Sequence, residues 1–371
     1  MTVLYVLRYY PTLTETFVYR EMEGLVARGV RVHAVAIGTR ADGVLQDQPP
    51  PVPVARPPRG RSAWRLLLPT LQGWSSPEGR RAWRWGRRYL RRKDIVRALW
   101  LADHARRVGA RRLHAHFAGE AAEWARVAAS VAGLPYGITV HGVDLFRPRP
   151  ALSEVLGAAD PVVTVSEHHQ RHLAARYGVQ AKVVRCGVYP DRHPMADPGG
   201  SGPLRVISVA RNVPKKGLDL LVDAVHGVPG ATLRLVSDAP RSWEGRRVQV
   251  GPLPPSAVPG ALADAQVFAL PCRVAPDGDR DGIPVALLEA MAAGLPVLST
   301  PVAGIPEIVD EAVGWMVPPD DPAALRKALA EIAACPEERV RRGVAARERV
   351  MGRGYTVERQ VDGLLAAWGL R

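Results

Sequence analysis

Apolar positions along this chain fall into two successive series of short strand-like runs separated by helical patterns. In the first series, runs rich in β-branched and apolar residues lie at 3–7, 30–37, 112–117, 136–141, 162–166 and 182–186. Apolar residues at helical spacing fill the gaps, notably at 15–28, 119–132 and 167–177. Parallel strands need a crossover, usually a helix, so this alternation predicts a doubly wound parallel α/β sheet. Residues 189–203, rich in Pro, Gly and Asp, break the pattern and read as an interdomain linker. A second series follows, with strands at 204–210, 232–236, 248–250, 267–271, 296–299 and 314–317 and helices at 218–225, 285–293 and 322–333. The expected domains are 1–190 and 204–350, with a final apolar helical pattern at 356–370. The proline run 49–58 reads as a mobile surface loop.

Composition narrows the class. A chain of 371 residues with 47% hydrophobic content is long enough for two cores. No apolar run approaches the roughly 20 residues that span a bilayer. The N-terminal stretch lacks the parts of a signal peptide and reads as a first strand. Three widely spaced cysteines, Cys186, Cys272 and Cys335, suggest neither a disulfide framework nor a metal site, and fit a reducing cytoplasm. The formal charge is +14, and nine basic residues but one acid lie between Arg80 and Arg97. As a single helix over 80–101, this segment would put Trp85, Tyr89, Val96 and Trp100 on one face. Two readings stand: the aromatic face packs on its own domain, or the helix lies peripherally on an anionic membrane surface. No nucleic-acid-binding signature accompanies the charge, so nucleic acid is not an expected partner.

The chemistry concentrates in Arg280-Asp-Gly-Ile-Pro-Val-Ala-Leu-Leu-Glu-Ala-Met-Ala-Ala-Gly294. Pro284 suits a first helical position and Gly294 a left-handed helix end. A helix start between Asp281 and Glu289 offers free N–H groups and positive potential, a seat for phosphate, with carboxylates in reach of sugar hydroxyls. This segment resembles the donor motif of the retaining glycosyltransferases of family 4, which have the GT-B fold: two Rossmann-like doubly wound domains facing a central cleft. That family usually has Glu, seven residues, Glu. Here Asp281 stands in the first place, keeping the charge with about one methylene less reach, and Glu289 in the second.

Further strings carry the resemblance. Arg211 and Lys216, in Ser208-Val-Ala-Arg-Asn-Val-Pro-Lys-Lys-Gly, follow a strand where ligands bind in open α/β sheets. Two cations there suit a diphosphate whose charge grows as the sugar leaves. His141, in His-Gly-Val-Asp-Leu-Phe, matches a family histidine beside the donor sugar and is expected to orient rather than act as base. His114 and His116 fall on one face of a strand; without a third ligand at convincing spacing they read as structural or supporting residues. Pro11-Thr-Leu-Thr-Glu-Thr-Phe resembles the exopolysaccharide, colanic-acid-type subgroup. There Thr14 or Thr12 would cap a helix with Glu15 in its first turn, and Thr14 and Glu15 are candidate cleft contacts for acceptor or diphosphate. Gly304 suits a tight loop, and Glu307 a capping role.

The resemblance implies transfer of a sugar from a nucleoside diphosphate sugar, UDP- or GDP-linked, to an acceptor hydroxyl with retained configuration. Arg211, Lys216 and the amides of Gly282, Ile283, Pro284 and Val285 would surround the leaving diphosphate; of these, Pro284 has no N–H and serves geometry. Glu289 would take the ribose and Asp281 the donor sugar. No cofactor or metal is expected. The acceptor is left open as a small molecule, a saccharide or a lipid-linked group. Two rivals remain, a GT-B sugar-nucleotide epimerase and a silent sugar-nucleotide-binding protein. A nicotinamide dehydrogenase is excluded, because 4–12 contains no glycine for a Gly-x-Gly-x-x-Gly turn.

Overall fold

The first strand, β1 (Thr2–Leu7), is buried at every position, as the centre of a parallel sheet requires. It is flanked on one side by β2 (Arg31–Ala36) and β3 (Val54–Ala55), and on the other by β4 (Arg112–His116), β5 (Tyr136–Val140), β6 (Val162–Thr164) and β7 (Lys182–Val183), in the order β3-β2-β1-β4-β5-β6-β7. A second parallel sheet has the order β10-β9-β8-β11-β12-β13, from β8 (Leu204–Val209), β9 (Ala231–Val236), β10 (Val248–Gly251), β11 (Val267–Leu270), β12 (Val297–Ser299) and β13 (Gly314–Met316). In each sheet the order reverses beside the first strand, which opens a crevice at the strands' carboxyl ends. This computed structural model describes residues 1–12, 15–38, 47–59, 66, 71, 75–245 and 247–370.

The first domain's helices are α1 (Thr16–Ala27), α2 (Pro77–Tyr89), α3 (Arg92–Arg107), α4 (Glu120–Ala132), α5 (Gly142–Phe146), α6 (Leu152–Gly157) and α7 (Glu167–Tyr177). Those that follow are α8 (Leu218–His226), α9 (Val258–Ala263), α10 (Val285–Ala292), α11 (Pro322–Ala334), α12 (Pro336–Gly352) and α13 (Val357–Ala367). The last one crosses back and packs on α1. A Cβ on Gly24 would lie 2.7 Å from Val357 Cγ1, so the two helices meet at a glycine. The returning chain is pinned by Val188 N–H on Tyr355 O at 2.9 Å and Val357 N–H on Val188 O at 3.1 Å.

Three expectations change. The basic segment is two helices, because Leu90 and Arg91 are extended between α2 and α3. The chain must turn there: a Cβ on Gly86 would lie 2.9 Å from Ile95, so the helices pack on each other. The aromatic stripe divides accordingly. Trp85 and Tyr89 both donate to Glu154, with Arg126 over the Trp85 ring at 3.9 Å, while Trp100 is buried against His104. The proline run is not only a loop, since β3 lies within it and pairs with β2. Proline is tolerated at such an edge, where the Pro53 carbonyl still accepts from Ala34 N–H at 2.9 Å. Helix α1 starts at Thr16 with Glu15 as N-cap, so Glu15 precedes the first turn. Thr14 lies outside the described residues, and Thr12 is buried.

The two domains touch along a close seam. A Cβ on Gly142 would lie 2.6 Å from the Arg280 carbonyl oxygen. The Arg280 guanidinium sits 3.9 Å from the Phe146 ring centroid, and Arg147 pairs with Asp277 at 3.3 Å. Glu307 caps α7 from the other domain, accepting from Glu167 N–H at 3.0 Å and His168 N–H at 2.7 Å. Gly304 is needed for close approach, since a Cβ there would meet Ile283 at 3.0 Å and Ser166 at 3.1 Å. His169 is fully buried in the seam, and neither ring nitrogen has a hydrogen-bond partner among the described residues. Burial, then His168 and His172, push its pKa down to about 3.

Two outcomes follow from this packing. A Cβ on Gly187 would lie 2.4 Å from the Thr356 carbonyl. Gly187→Ala should therefore cost about 1–3 kcal/mol, read as a lower urea midpoint with unchanged slope. His169 takes up its proton in the unfolded chain near pH 6.5 but not in the fold until about pH 3. Stability is thus lost as pH falls through that window. His169→Leu should remove one proton's worth of this dependence, about 1.4 kcal/mol per pH unit, at little cost at pH 7. Equal slopes for variant and parent between pH 6 and 4 would show that His169 does not titrate this way.

Candidate functional site

At the carboxyl end of β8 the chain crosses the sheet edge through Arg211 and enters a 3₁₀ turn, Pro214–Lys216. Gly217 closes this turn at φ 61°, and a Cβ there would lie 2.2 Å from the Pro271 carbonyl. Only glycine meets both conditions. The turn holds two lysines side by side. Lys215 Nζ reaches Asp281 Oδ1 at 3.2 Å and Asp279 Oδ2 at 3.1 Å; Lys216 Nζ reaches Asp281 Oδ2 at 2.6 Å. Burial alone would raise the Asp281 carboxyl, but Lys216 and Lys215 outweigh it and hold the group below its ordinary range. The same pairing keeps Lys216 charged, raised despite its own desolvation. Cys272 donates to Asp281 at 3.7 Å, and burial, then that carboxylate, push its thiol up to about 12. Arg211 is exposed and makes no ion pair among the described residues.

Asp281 leads directly into α10. Pro284 is the N-cap, one place before the expected first helical position, with its carbonyl accepting from Leu287 N–H at 3.1 Å. No side chain caps this helix, so its first amides, at Val285 and Ala286, are available to an anion. Ile283 is buried, and Gly282 lies against His169, whose ring a Cβ would meet at 2.6 Å. Gly294 ends the helix at φ 77°. Glu289, on α10, does not stand free. It is ion-paired with Arg20 of α1 across the cleft, and Arg20 Nη1 has no partner among the described residues.

The first domain contributes a buried polar chain. His141 follows β5, and its Nε2 lies 3.2 Å from His116 Nδ1 at the end of β4. His116 Nε2 lies 2.9 Å from Glu21 Oε1, which also accepts from Tyr5 O–H at 2.5 Å; Glu21 Oε2 accepts from Gln360 at 2.6 Å. Burial would raise Glu21, but His116 outweighs it and brings the carboxyl to about 2. An ionised carboxylate only accepts, so His116 Nε2 carries a proton. The other His116 nitrogen, Nδ1, is the one that shares a hydrogen bond with His141 Nε2. Burial, then His116, keep the His141 pKa well below its ordinary value. Asp144 fixes the backbone here, accepting from His141 N–H at 2.9 Å; burial pushes its carboxyl up to about 7.

Sequence spacing offered no third ligand for His114 and His116. The fold supplies Glu21, with ligand-type atoms of the three within 4.8 Å of one another. Hydrogen bonds to Thr139, His141 and Glu21 already account for three of the four nitrogens of His114 and His116; the fourth, His114 Nδ1, has no partner among the described residues. Lys215, Arg20, Glu21, Asp279 and His169 were missed in the sequence. For Glu21 a signal existed: a carboxylate on the buried stripe of Phe17, Val18, Met22 and Leu25.

The family description Glycosyltransferase Family 4 matches residues 14–192, and Glycosyl transferases group 1 matches 203–334. A GDP-mannose-dependent alpha-(1-6)-phosphatidylinositol monomannoside mannosyltransferase from Mycolicibacterium smegmatis is 30% identical over 67% of each chain. The amylovoran biosynthesis glycosyltransferase AmsK of Erwinia amylovora is 33% identical over 57% of this chain. The chain spans little more than half the length of such exopolysaccharide relatives: 58% of AmsK, and 53% of Escherichia coli WcaL, named for colanic acid biosynthesis. The crystal structure of Anabaena Alr3699/HepE in complex with UDP aligns over all of both chains at 15% identity and a TM-score of 0.75. Sucrose-phosphate synthase from Thermosynechococcus elongatus aligns over 99% of this chain and 98% of its own at 17% identity and 0.73. At such identities the likeness is one of fold, and it agrees with the two facing sheets; the matched regions and the mannosyltransferase relative establish that the chain belongs to glycosyltransferase family 4, group 1, with the GT-B fold.

Proposed function

We propose that this protein transfers a sugar, with retention, from a nucleoside diphosphate sugar to an acceptor hydroxyl in polysaccharide or secondary-metabolite biosynthesis. The carrying observation is the Lys215–Lys216 pair held on Asp281 beside the uncapped start of α10. In this reading 1–190 is the acceptor domain, 204–350 the donor domain, and 356–370 the strap joining them. Relatives named for GDP-mannose and a fold neighbour solved with UDP support a UDP- or GDP-sugar. Among the described residues no helix is long and apolar enough to cross a membrane. We place the enzyme in the cytoplasm, with peripheral membrane contact through 80–101 as the lesser alternative to packing.

Each residue has a task in the proposed reaction. Arg211, Lys216 and the amides around Gly282, Ile283 and Val285 stabilise the charge that grows on the leaving diphosphate. Pro284 sets the turn that presents those amides. Glu289 accepts from the ribose and Asp281 from the donor sugar. His141 orients the sugar from the end of the hydrogen-bonded chain that runs through His116 to Glu21. A leaving phosphate oxygen takes the acceptor proton, so the step needs no protein base. Cationic side chains and a helix start perform the electrostatic work, and the proposal includes no metal. Thr14 and Glu15 stay proposed cleft contacts for acceptor or diphosphate.

Lys216→Ala should lower turnover roughly 100- to 1,000-fold, because it deletes one preorganised charge at the leaving group. The readout is nucleoside diphosphate released from a donor panel, with and without acceptor; near-normal release would refute the diphosphate assignment. Asp281→Glu should keep substantial activity, since it restores the family's own residue, while Asp281→Ala should lose it. Equal activities for those two variants would remove Asp281 from contact with the donor.

A further inference from the structure

A cavity of about 390 Å³ lies over the carboxyl ends of β1 and β2, apart from the donor loops. Six cations line it: Arg8, Arg59, Arg91, Lys93, Arg97 and Arg149, against the carboxylates of Asp94 and Glu120. Some are already answered. Arg8 lies 3.7 Å from Glu120, Arg97 3.4 Å from Asp94, and Arg149 2.7 Å from Glu123. Arg91 and Lys93 are exposed and have no ion-pair partner among the described residues. Two helix starts converge here, α3 with Arg91 as N-cap and α4 with Gly119, and neither has a side-chain cap among the described residues. Their free amides add positive potential to that of the side chains. Tyr9 and Tyr89 add aromatic surface, and buried Trp124, also in the lining, has an indole N–H without an acceptor among the described residues.

We infer that this cavity binds a phosphate- or diphosphate-bearing group on the saccharide acceptor. The inference rests on the transfer reading above and names its acceptor class. A single carboxylate is satisfied by one bidentate arginine. Two unpaired cations and two helix starts suit a group of higher charge. Position supports the acceptor role. Only β4 separates β1 from β5, so the β1 side of the cavity lies about 10 Å, two strand spacings, from the strand that His141 follows. Aromatic rings beside a cationic pocket fit a sugar next to its phosphate.

The test uses the full chain and begins with UDP and GDP titrations. Failure of both to bind overturns the donor reading itself. With the donor site saturated by whichever binds, inorganic pyrophosphate is then titrated. A second pyrophosphate site, weakened at least tenfold in the Arg91→Gln/Lys93→Gln variant, is the expected result. Absence of that site, or equal binding by parent and variant, overturns the inference. Retained pyrophosphate binding with loss only of binding to anionic vesicles also overturns it, and assigns these cations to a membrane surface. Transfer assays then separate two sources of the group, a soluble glycosyl phosphate and a lipid-linked diphosphate saccharide. The variant should raise the KM of the one that is used and leave that of a neutral saccharide unchanged.

Discussion

The Glu21 carboxylate is almost wholly buried, and a buried charge must be answered by donors or it neutralises. Its donors come from three separate parts of the chain: Tyr5 on β1, His116 on β4 and Gln360 on the last helix. The central strands, the returning tail and the histidine pair at the cleft are therefore constrained as one unit. Losing any one donor leaves the charge partly uncompensated, which makes the arrangement cooperative. It also gives a physical reason for the last helix to cross back: without Gln360, one oxygen of Glu21 would lose the hydrogen bond described for it. The consequence reaches the site, because the same carboxylate holds His116, which in turn hydrogen-bonds His141.

The second constraint is the seam. Gly142, immediately after His141, lies against the carbonyl of Arg280, immediately before Asp281. One residue from each domain's most chemically loaded position thus sets the cleft width there, and a side chain at Gly142 would push the two apart. Glu307 reinforces this from outside, since its carboxylate answers two free amides at the start of α7. Arg20 and Glu289 add a charged link across the same cleft. At this seam the domains meet through polar, charged and backbone contacts, while one buried apolar cluster that runs from the first sheet and α1 through the returning helix to the second sheet joins them elsewhere.

Much of this was legible because parallel sheets write themselves as buried runs separated by helices, and because Gly294 and Gly217 mark turns that other residues strain to make. The donor helix was visible for the same reason. What stayed hidden depends on contacts between distant segments. The break at Leu90 comes from helix packing at Gly86 and Ile95, while the local arginine-rich pattern favours continuous helix. Strand β3 arises in a proline run because an edge strand needs only some of its amides. Glu21 is separated from His116 by more than ninety residues, so spacing could not suggest their pairing. Lys215 was passed over beside Lys216, because local spacing does not show that a 3₁₀ turn brings both to one carboxylate.

Asp281 draws these threads into one electrostatic argument. Its carboxylate is short for a position where the family usually has glutamate, and it lies against two ammonium groups on the adjacent turn. In the reaction proposed for this site, an arriving diphosphate competes for those same cations. A neutral sugar cannot, because hydroxyls do not repay the loss of two ion pairs in a partly buried site. Diphosphate binding and release of Asp281 towards the sugar are then a single exchange, which favours nucleotide-linked over free sugars before any hydroxyl is read. Lys216 stays charged throughout, since its raised pKa needs an anion beside it and both the carboxylate and the phosphate provide one. The same lysine is therefore in place as charge accumulates on the leaving group.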